Sequence, residues 1–380
     1  MAYEQLKQEV IAYSKEIGID KIGFASAEPF AELKARLKEQ QELGYASGFE
    51  KGTIEERTEP KRLMPGAESL IAIALSYPTR MKNEPKSVKG DRRGMFARAS
   101  WGTDYHIVLK EKLDKLAAFL QEKLAGFESR SMVDTGELSD RAVAERAGIG
   151  FSGKNTLMIS PEYGSYIYLG EMITNVPFTP DDTITDGCGT CTKCIDACPT
   201  GALVEPGRLN SQACMAFQSL TKGFMPDEHR NKLGNLIYGY ETCQVVCPYN
   251  RDVDFHHHEE FEPDPELVKP RLLDLLSISN REFKEKFGKM AGSWRGKKPL
   301  QRNAILSLAH YKEKAATDKL IELMQQDPRP VIRGTAAWAI GKIGEEKGFD
   351  AIEEAMKRES DHEVLVEMEK GLDFRIEHTN

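Results

Sequence analysis

The sequence predicts a chain of α+β and α/β character in three parts. An N-terminal α/β domain spans residues 1–175, a small metal-ordered module spans 176–262, and all-α helical repeats fill 263–380. Three observations carry this. Helical and strand patterns alternate through the first part. All seven cysteines fall between Cys188 and Cys247. An arginine-led helical segment recurs after 31 residues, at Arg302 and Arg333.

The chain has 380 residues, enough for two or three domains and a substantial core. The opening segment, MAYEQLKQEVIAYSKEIGID, carries charges throughout and lacks a secretory apolar region. No apolar run approaches the ~20 residues of a membrane span. A cytoplasmic, non-membrane protein is expected. The net charge of −8 disfavours nucleic acid as a global sum, but a polyanion binds a local patch. Arg80–Arg98 holds seven Lys or Arg against two acids, and Arg281–Arg302 holds eight against two.

In the first part, EQLKQEVIAYSKEIG has helical periodicity and a glycine stop, and DKIGFASA follows as a short strand. SLIAIALSY has the length and bounds of a buried strand. DYHIVLKEKLDKLAAFLQEKL reads as a long amphipathic helix with Asp104 as its N-cap. SRSMVDTG is a strand and turn, AVAERAG a helix closed by glycine, and GSYIYLGEMITN a further strand. The three adjacent histidines of FHHHEE read as exposed loop residues.

Residues 188–199, CGTCTKCIDACP, have the spacing C-x2-C-x2-C-x3-C-P, that of a bacterial ferredoxin. Three close thiolates hold one [4Fe–4S] cube and the fourth serves a second. A zinc site more often uses two separated pairs. A second run should read C-x2-C-x3-C-P, and Cys243 and Cys247-Pro248 supply its end. The assignment is Cys188, Cys191, Cys194 and Cys247 on the first cluster. The second takes Cys198, Cys214 and Cys243, and its fourth place falls at Tyr240. Tyrosine ligation, an exogenous ligand and a [3Fe–4S] cluster all remain open there.

The C-terminal pattern of paired helices resembles HEAT-type repeats, each pair burying its face on the next. Ahead of them lies GKMAGSWRGKKPLQRN, in which Lys289, Arg295, Lys297, Lys298 and Arg302 accompany Trp294. Positive charge suits phosphate, and an exposed indole can stack an unpaired base.

The run DTGELSDRAVAERAGIGFSGKNT, with RLMPGAESLIAIALSY, ARASWGTDYHIVLKEKL and the cysteine spacing, resembles epoxyqueuosine reductase over nearly the whole chain. The resemblance implies a cobalamin-binding N-terminal domain, a ferredoxin-like two-[4Fe–4S] domain and HEAT-like repeats. It implies reduction of the epoxide of epoxyqueuosine, at the wobble position of tRNA, to queuosine. Cobalamin is implied by the resemblance alone, since no short signature marks it. Asp134 is placed as general acid, which requires it to hold a proton near neutral pH; read without the resemblance, it is a turn residue of D-T-G. Tyr105, His106, Lys154 and Asn155 are candidates for contacting cobalamin. The patch at Lys289–Arg302 is the candidate tRNA contact. An external low-potential electron donor and a monomeric state are expected. In related sequences the place of Tyr240 is usually cysteine. Two other readings are a reductive dehalogenase-like enzyme and a non-catalytic ferredoxin-like carrier. The first leaves the repeats and the basic loop unexplained; the second leaves the N-terminal 175 residues idle.

Overall fold

The structure is a computed structural model and describes residues 2–185 and 187–379. It divides into two compact units that interleave the three sequence segments. One comprises Met1–Arg80, Gly102–Cys214 and Glu241–Glu262; the other comprises Met81–Trp101, Met215–Tyr240 and Pro263–Asn380.

The first unit is built on a four-stranded sheet of β1 (Lys21–Ser26), β2 (Ser69–Ser76), β3 (Ser129–Met132) and β4 (Ile167–Thr174). Their spatial order is β1-β2-β4-β3, and every pairing is antiparallel. This makes the unit α+β. The apolar SLIAIALS segment forms β2, and all eight residues are buried because both faces are covered. Its side chains alternate. Ile71, Ile73 and Leu75 join one core with Val10 of helix α1 (Ala2–Glu16) and Leu109, Leu113 and Leu116 of α2 (Tyr105–Lys123). Leu70, Ala72 and Ala74 join the other with Val143 and Ala144 of α3 (Asp140–Arg146). α3 seats closely because β1 offers Gly23 beneath it. A Cβ there would lie 2.0 Å from the Ala147 carbonyl oxygen.

In the FHHHEE loop His256 and His257 are exposed, as expected, and His258 is not. Asp20 accepts from His257 and His258, each at 2.8 Å, and His258 is buried. Despite burial, which opposes it, His258, Ser76 and His257 hold the Asp20 carboxyl down at about 2. The loop is therefore fastened to the end of the first strand region by a buried carboxylate.

The second unit contains the repeats. α4 (Lys297–His310), α5 (Thr317–Gln326), α6 (Pro330–Ile343), α7 (Glu346–Met356) and α8 (His362–Thr379) pack in antiparallel-style pairs around Ala304, Ile305, Leu308, Ala336, Ala337 and Ile340. The 31-residue offset brings Arg302 to α4 and Arg333 to α6. α6 and α8 approach at glycine: a Cβ on Gly341 would lie 2.0 Å from the Gly371 carbonyl oxygen. A buried pair, Arg230 with Glu367, ties α8 to the segment preceding the repeats. None of the described helices is long and apolar enough to cross a membrane.

Candidate active site and thiol clusters

Asp134 follows β3 in a tight turn. Its φ is 48°, a left-handed conformation that costs a non-glycine residue free energy. The Thr135 N–H returns to the Val133 carbonyl, and the Asp134 N–H donates to Asp140 Oδ2 at 2.6 Å. Gly136 lets the loop fold back on β3, since a Cβ there would sit 2.6 Å from Met132 Cβ.

The N-terminus of α2 faces this turn. Asp104 caps the helix through the His106 N–H at 3.0 Å, as the sequence predicts. Tyr105 Oη donates to Asp134 Oδ2 at 2.8 Å. His106 joins the two acids, with Nδ1 2.7 Å from Asp104 and Nε2 3.6 Å from Asp134 Oδ2. Tyr105 is braced by stacking on Tyr168 of β4, centroids 4.6 Å apart. Burial opposes charge on His106, but Asp104 and Asp134 outweigh it and raise its pKa to about 9. His106, then Tyr105, hold Asp134 below its ordinary value against the effect of burial. Two carboxylates thus favour the imidazolium of His106, while Asp134, 61% exposed, is lowered and not raised. Tyr105 and His106 act on Asp134, a role their sequence positions did not reveal.

Lys154 and Asn155 serve a different neighbour from the one expected. Lys154 Nζ donates to the Gly189 carbonyl at 2.5 Å. Asn155 is 4% exposed; its Oδ1 accepts from Leu157 N–H and its amide donates to the Cys243 carbonyl at 3.4 Å. Both fasten backbone beside the cysteines. A buried amide already spent on main chain has little left for a ligand.

The seven cysteines are reduced and half-buried, and all lie in the first unit. Burial raises Cys194, and Cys247 and Cys191 raise it further. Burial pushes Cys243 up to about 12, helped by Cys214, Cys194 and Cys198. Folding therefore brings Cys191, Cys194 and Cys247 together, and sets Cys243 near Cys214, Cys194 and Cys198. Thiols so raised, Cys194, Cys243 and Cys247, would be held as thiolates by a bound cation such as iron. Among the described residues no three His, Cys, Asp or Glu side chains could hold a single metal ion. Sulfurs on the corners of a cube stand further apart than those around one ion. Tyr240 packs against the apolar core of the second unit.

The basic loop is partly consumed by the fold. Arg302 is fully buried, donating to the carbonyls of Thr221, Gly223 and Gln218. It is removed from the candidate tRNA surface, because its guanidinium is an internal backbone clamp. Lys297 donates to the Ile278 carbonyl at 2.9 Å. Trp294 is 53% exposed, with Arg295 over its ring at 4.9 Å, and Lys289 is exposed. Lys298 is pushed down by burial and by Lys222, Arg329 and Arg302. Such mutual repulsion marks a concentration of positive charge. Lys222 and Arg329 lie far from Lys298 in sequence, so only folding adds them.

Residues 57–135 match the family described as epoxyqueuosine reductase QueG, DUF1730. Residues 187–250 match a 4Fe-4S double cluster binding domain, and 295–372 match HEAT repeats. An epoxyqueuosine reductase of Bacillus cereus is 67% identical over 98% of both chains. The chain belongs to the epoxyqueuosine reductase family. A crystal structure of an epoxyqueuosine reductase with a tRNA-Tyr epoxyqueuosine-modified stem loop is 62% identical, with TM-score 0.97 over 98% of this chain and 100% of that one. An epoxyqueuosine reductase from Bacillus subtilis, 61% identical, has TM-score 0.96 over 98% and 99%. Its aspartate catalytic loop is swung out of the active site. Epoxyqueuosine reductases are oxidoreductases, and this member has the family's mixed α and β fold, double-cluster module and HEAT repeats.

Proposed function

We propose that this chain reduces the epoxide of epoxyqueuosine in the anticodon loop of tRNA to the alkene of queuosine. One epoxide, two electrons and two protons give one alkene and one water. The observation that carries the reading is that the Asp134 cluster and all seven cysteines occupy one compact unit. An acid group and an electron-supplying module thereby belong to a single body. The family's epoxide substrate and the tRNA stem loop seen with a relative name what that body acts on.

Cys188, Cys191, Cys194 and Cys247 would hold one cluster, and Cys198, Cys214 and Cys243 the other. Cobalamin would be held beside the exposed carboxylate of Asp134, with His106 and Tyr105 next to it. When bound, these groups supply low-potential electrons to the substrate carbon, replenished by an external donor. The chain's own residues manage protons. As the carbon–oxygen bond breaks, the oxygen gains alkoxide character and needs one. His106 holds that proton, and Asp134, 3.6 Å away, takes it and passes it to the oxygen. Tyr105 keeps the accepting oxygen oriented.

The deciding assay uses anaerobically reconstituted protein with cobalamin, reductant and epoxyqueuosine-containing tRNA, followed by nucleoside analysis. Queuosine is expected; its absence with loaded clusters overturns the reading. Tyr240, engaged in apolar packing, leaves the second cluster with three cysteines and a labile fourth iron. After brief oxidation the protein is expected to retain about seven irons and to show a [3Fe–4S] EPR signal. Tyr240→Cys is expected to restore the eighth iron and remove the signal. Eight stable irons in the unaltered protein would refute the labile site.

Lys222, Lys298, Arg329, Arg295 and Trp294 form the tRNA-facing patch we favour. Neutralising Lys222 and Lys298 together is expected to weaken tRNA binding and to reduce the log–log salt slope by about one to two. An unchanged slope assigns the contact elsewhere.

A further inference from the structure

Behind the Asp134 turn lies a carboxyl pair with no part in the proton delivery above. Glu171 projects from the middle of β4 onto the face that α3 covers. It is 0% exposed, on the side of the strand that carries Leu169 and Ile173 into the core shared with Val143 and Ala144. Neither Glu171 oxygen finds an N–H or O–H donor. The side chain that acts on it most strongly is the carboxyl of Asp140, at the start of α3. Two ionised carboxyls offer each other only lone pairs and repel. They join only when one carries a proton. Burial, reinforced by Asp134, raises Asp140 to about 6, and burial, reinforced by Asp140, raises Glu171 well above the carboxylate range. Of the two, the fully enclosed Glu171 is the one driven further toward its protonated form.

Asp140 in turn accepts the backbone N–H of Asp134, the residue held at φ 48°. On the opposite strand Met132, two residues before Asp134, lies directly across from Glu171. The three residues thus stand in sequence: the enclosed Glu171 beside Asp140, and Asp140 accepting the Asp134 N–H. Each link supports the next, because an anchored, charged acceptor is what a strained N–H requires.

We propose that Glu171 and Asp140, sharing one proton, form the latch that keeps the Asp134 turn in its working position. Glu171 and Asp140 are positioning residues; neither is placed to reach substrate. A catalytic loop of this kind stands swung out in the Bacillus subtilis relative, so such a turn has a second position that a latch must oppose. The charged groups around the pair are Asp134 and Arg141, and beyond Arg141, Glu145 and Glu50. His106 and Tyr105 meet the same Asp134 carboxylate from α2.

The latch rests on Asp134 as the acid for its consequence in rate, but not for its effect on the turn. The test therefore reads both. Hydrogen–deuterium exchange of the peptide spanning residues 130–140 is measured on the holoprotein, alongside kcat and KM. Glu171→Leu fills the site but cannot donate. It is expected to speed exchange of the turn at least ~10-fold and lower kcat by a similar factor, with KM within about twofold. Glu171→Gln keeps a donor toward Asp140 without a titrating proton. It is expected to retain slow exchange and most of kcat. Asp140→Ala removes the acceptor and should reproduce the Glu171→Leu exchange, which covers the case of a Glu171→Leu protein that does not fold. Slow exchange in both apolar variants overturns the latch, as does a Glu171→Gln variant as open as Glu171→Leu. Fast exchange with undiminished kcat upholds the latch and instead removes Asp134 from the chemistry.

Discussion

Asp134→Asn is expected to abolish turnover, lowering kcat by at least ~10²-fold, while iron content and cobalamin binding stay unchanged. The amide keeps the size of the side chain and can still accept from Tyr105 Oη, so the turn has no steric reason to move. What it loses is the capacity to take a proton from His106 and give it to an alkoxide. The counter-charge beside His106 disappears too. With one carboxylate partner, Asp104, instead of two, His106 should titrate below its present value of about 9. In the unaltered enzyme the basic limb of the rate profile is expected near 9, where His106 deprotonates. The sign follows from linkage. A folded value above the ordinary 6.5 contributes stability that is complete below 6.5 and lost as pH rises through about 9. Full activity in Asp134→Asn, at unchanged cofactor loading, would reassign the acid.

Arg302→Ala is expected to damage the fold and to leave the electrostatics of tRNA binding alone. The Arg302 guanidinium donates to three main-chain carbonyls and to the Thr221 hydroxyl and Asn303 side chain, from a fully buried position. Its removal leaves those acceptors without a donor and opens a cavity the size of the side chain. Losses of this kind run to about 3–5 kcal/mol, or roughly a 10 °C fall in unfolding midpoint for a unit of this size. Burial, with the Arg230 charge behind it, already lowers Arg302 to about 9, a sign of how much the fold spends to place it there. Folded Arg302→Ala protein, studied at low temperature, should keep the unaltered salt slope. A stable variant with a shallower slope would return Arg302 to the tRNA surface.

Arg302 also shows where sequence reading stops. Its neighbours in GKKPLQRN make it look like one more surface cation. Its position in the repeat argues otherwise, since Arg333, 31 residues on, likewise points inward to Glu359 and the Asp327 carbonyl. The phase of the repeat is legible in the sequence; the direction a side chain takes from its helix is not. Lys154 and Asn155 bond to main chain, which spacing does not show. A glycine-flanked loop reads the same whether its polar groups face a ligand or the main chain of a neighbouring segment. The burial of His258 has no local sign in FHHHEE because its partner, Asp20, lies 238 residues away in the sequence.

What the sequence determined by itself is chemistry that depends on local spacing. Cysteine intervals, strand alternation in SLIAIALS, the Asp104 cap and the 31-residue repeat are all set within a few turns of backbone. What only the tertiary structure decided is protonation and direction. Asp134, His106, Asp140 and Glu171 come from four separate elements, and their charges depend on one another and on burial. No spacing encodes that, because a carboxyl's affinity for its proton is set by what folding places beside it and by the water folding removes.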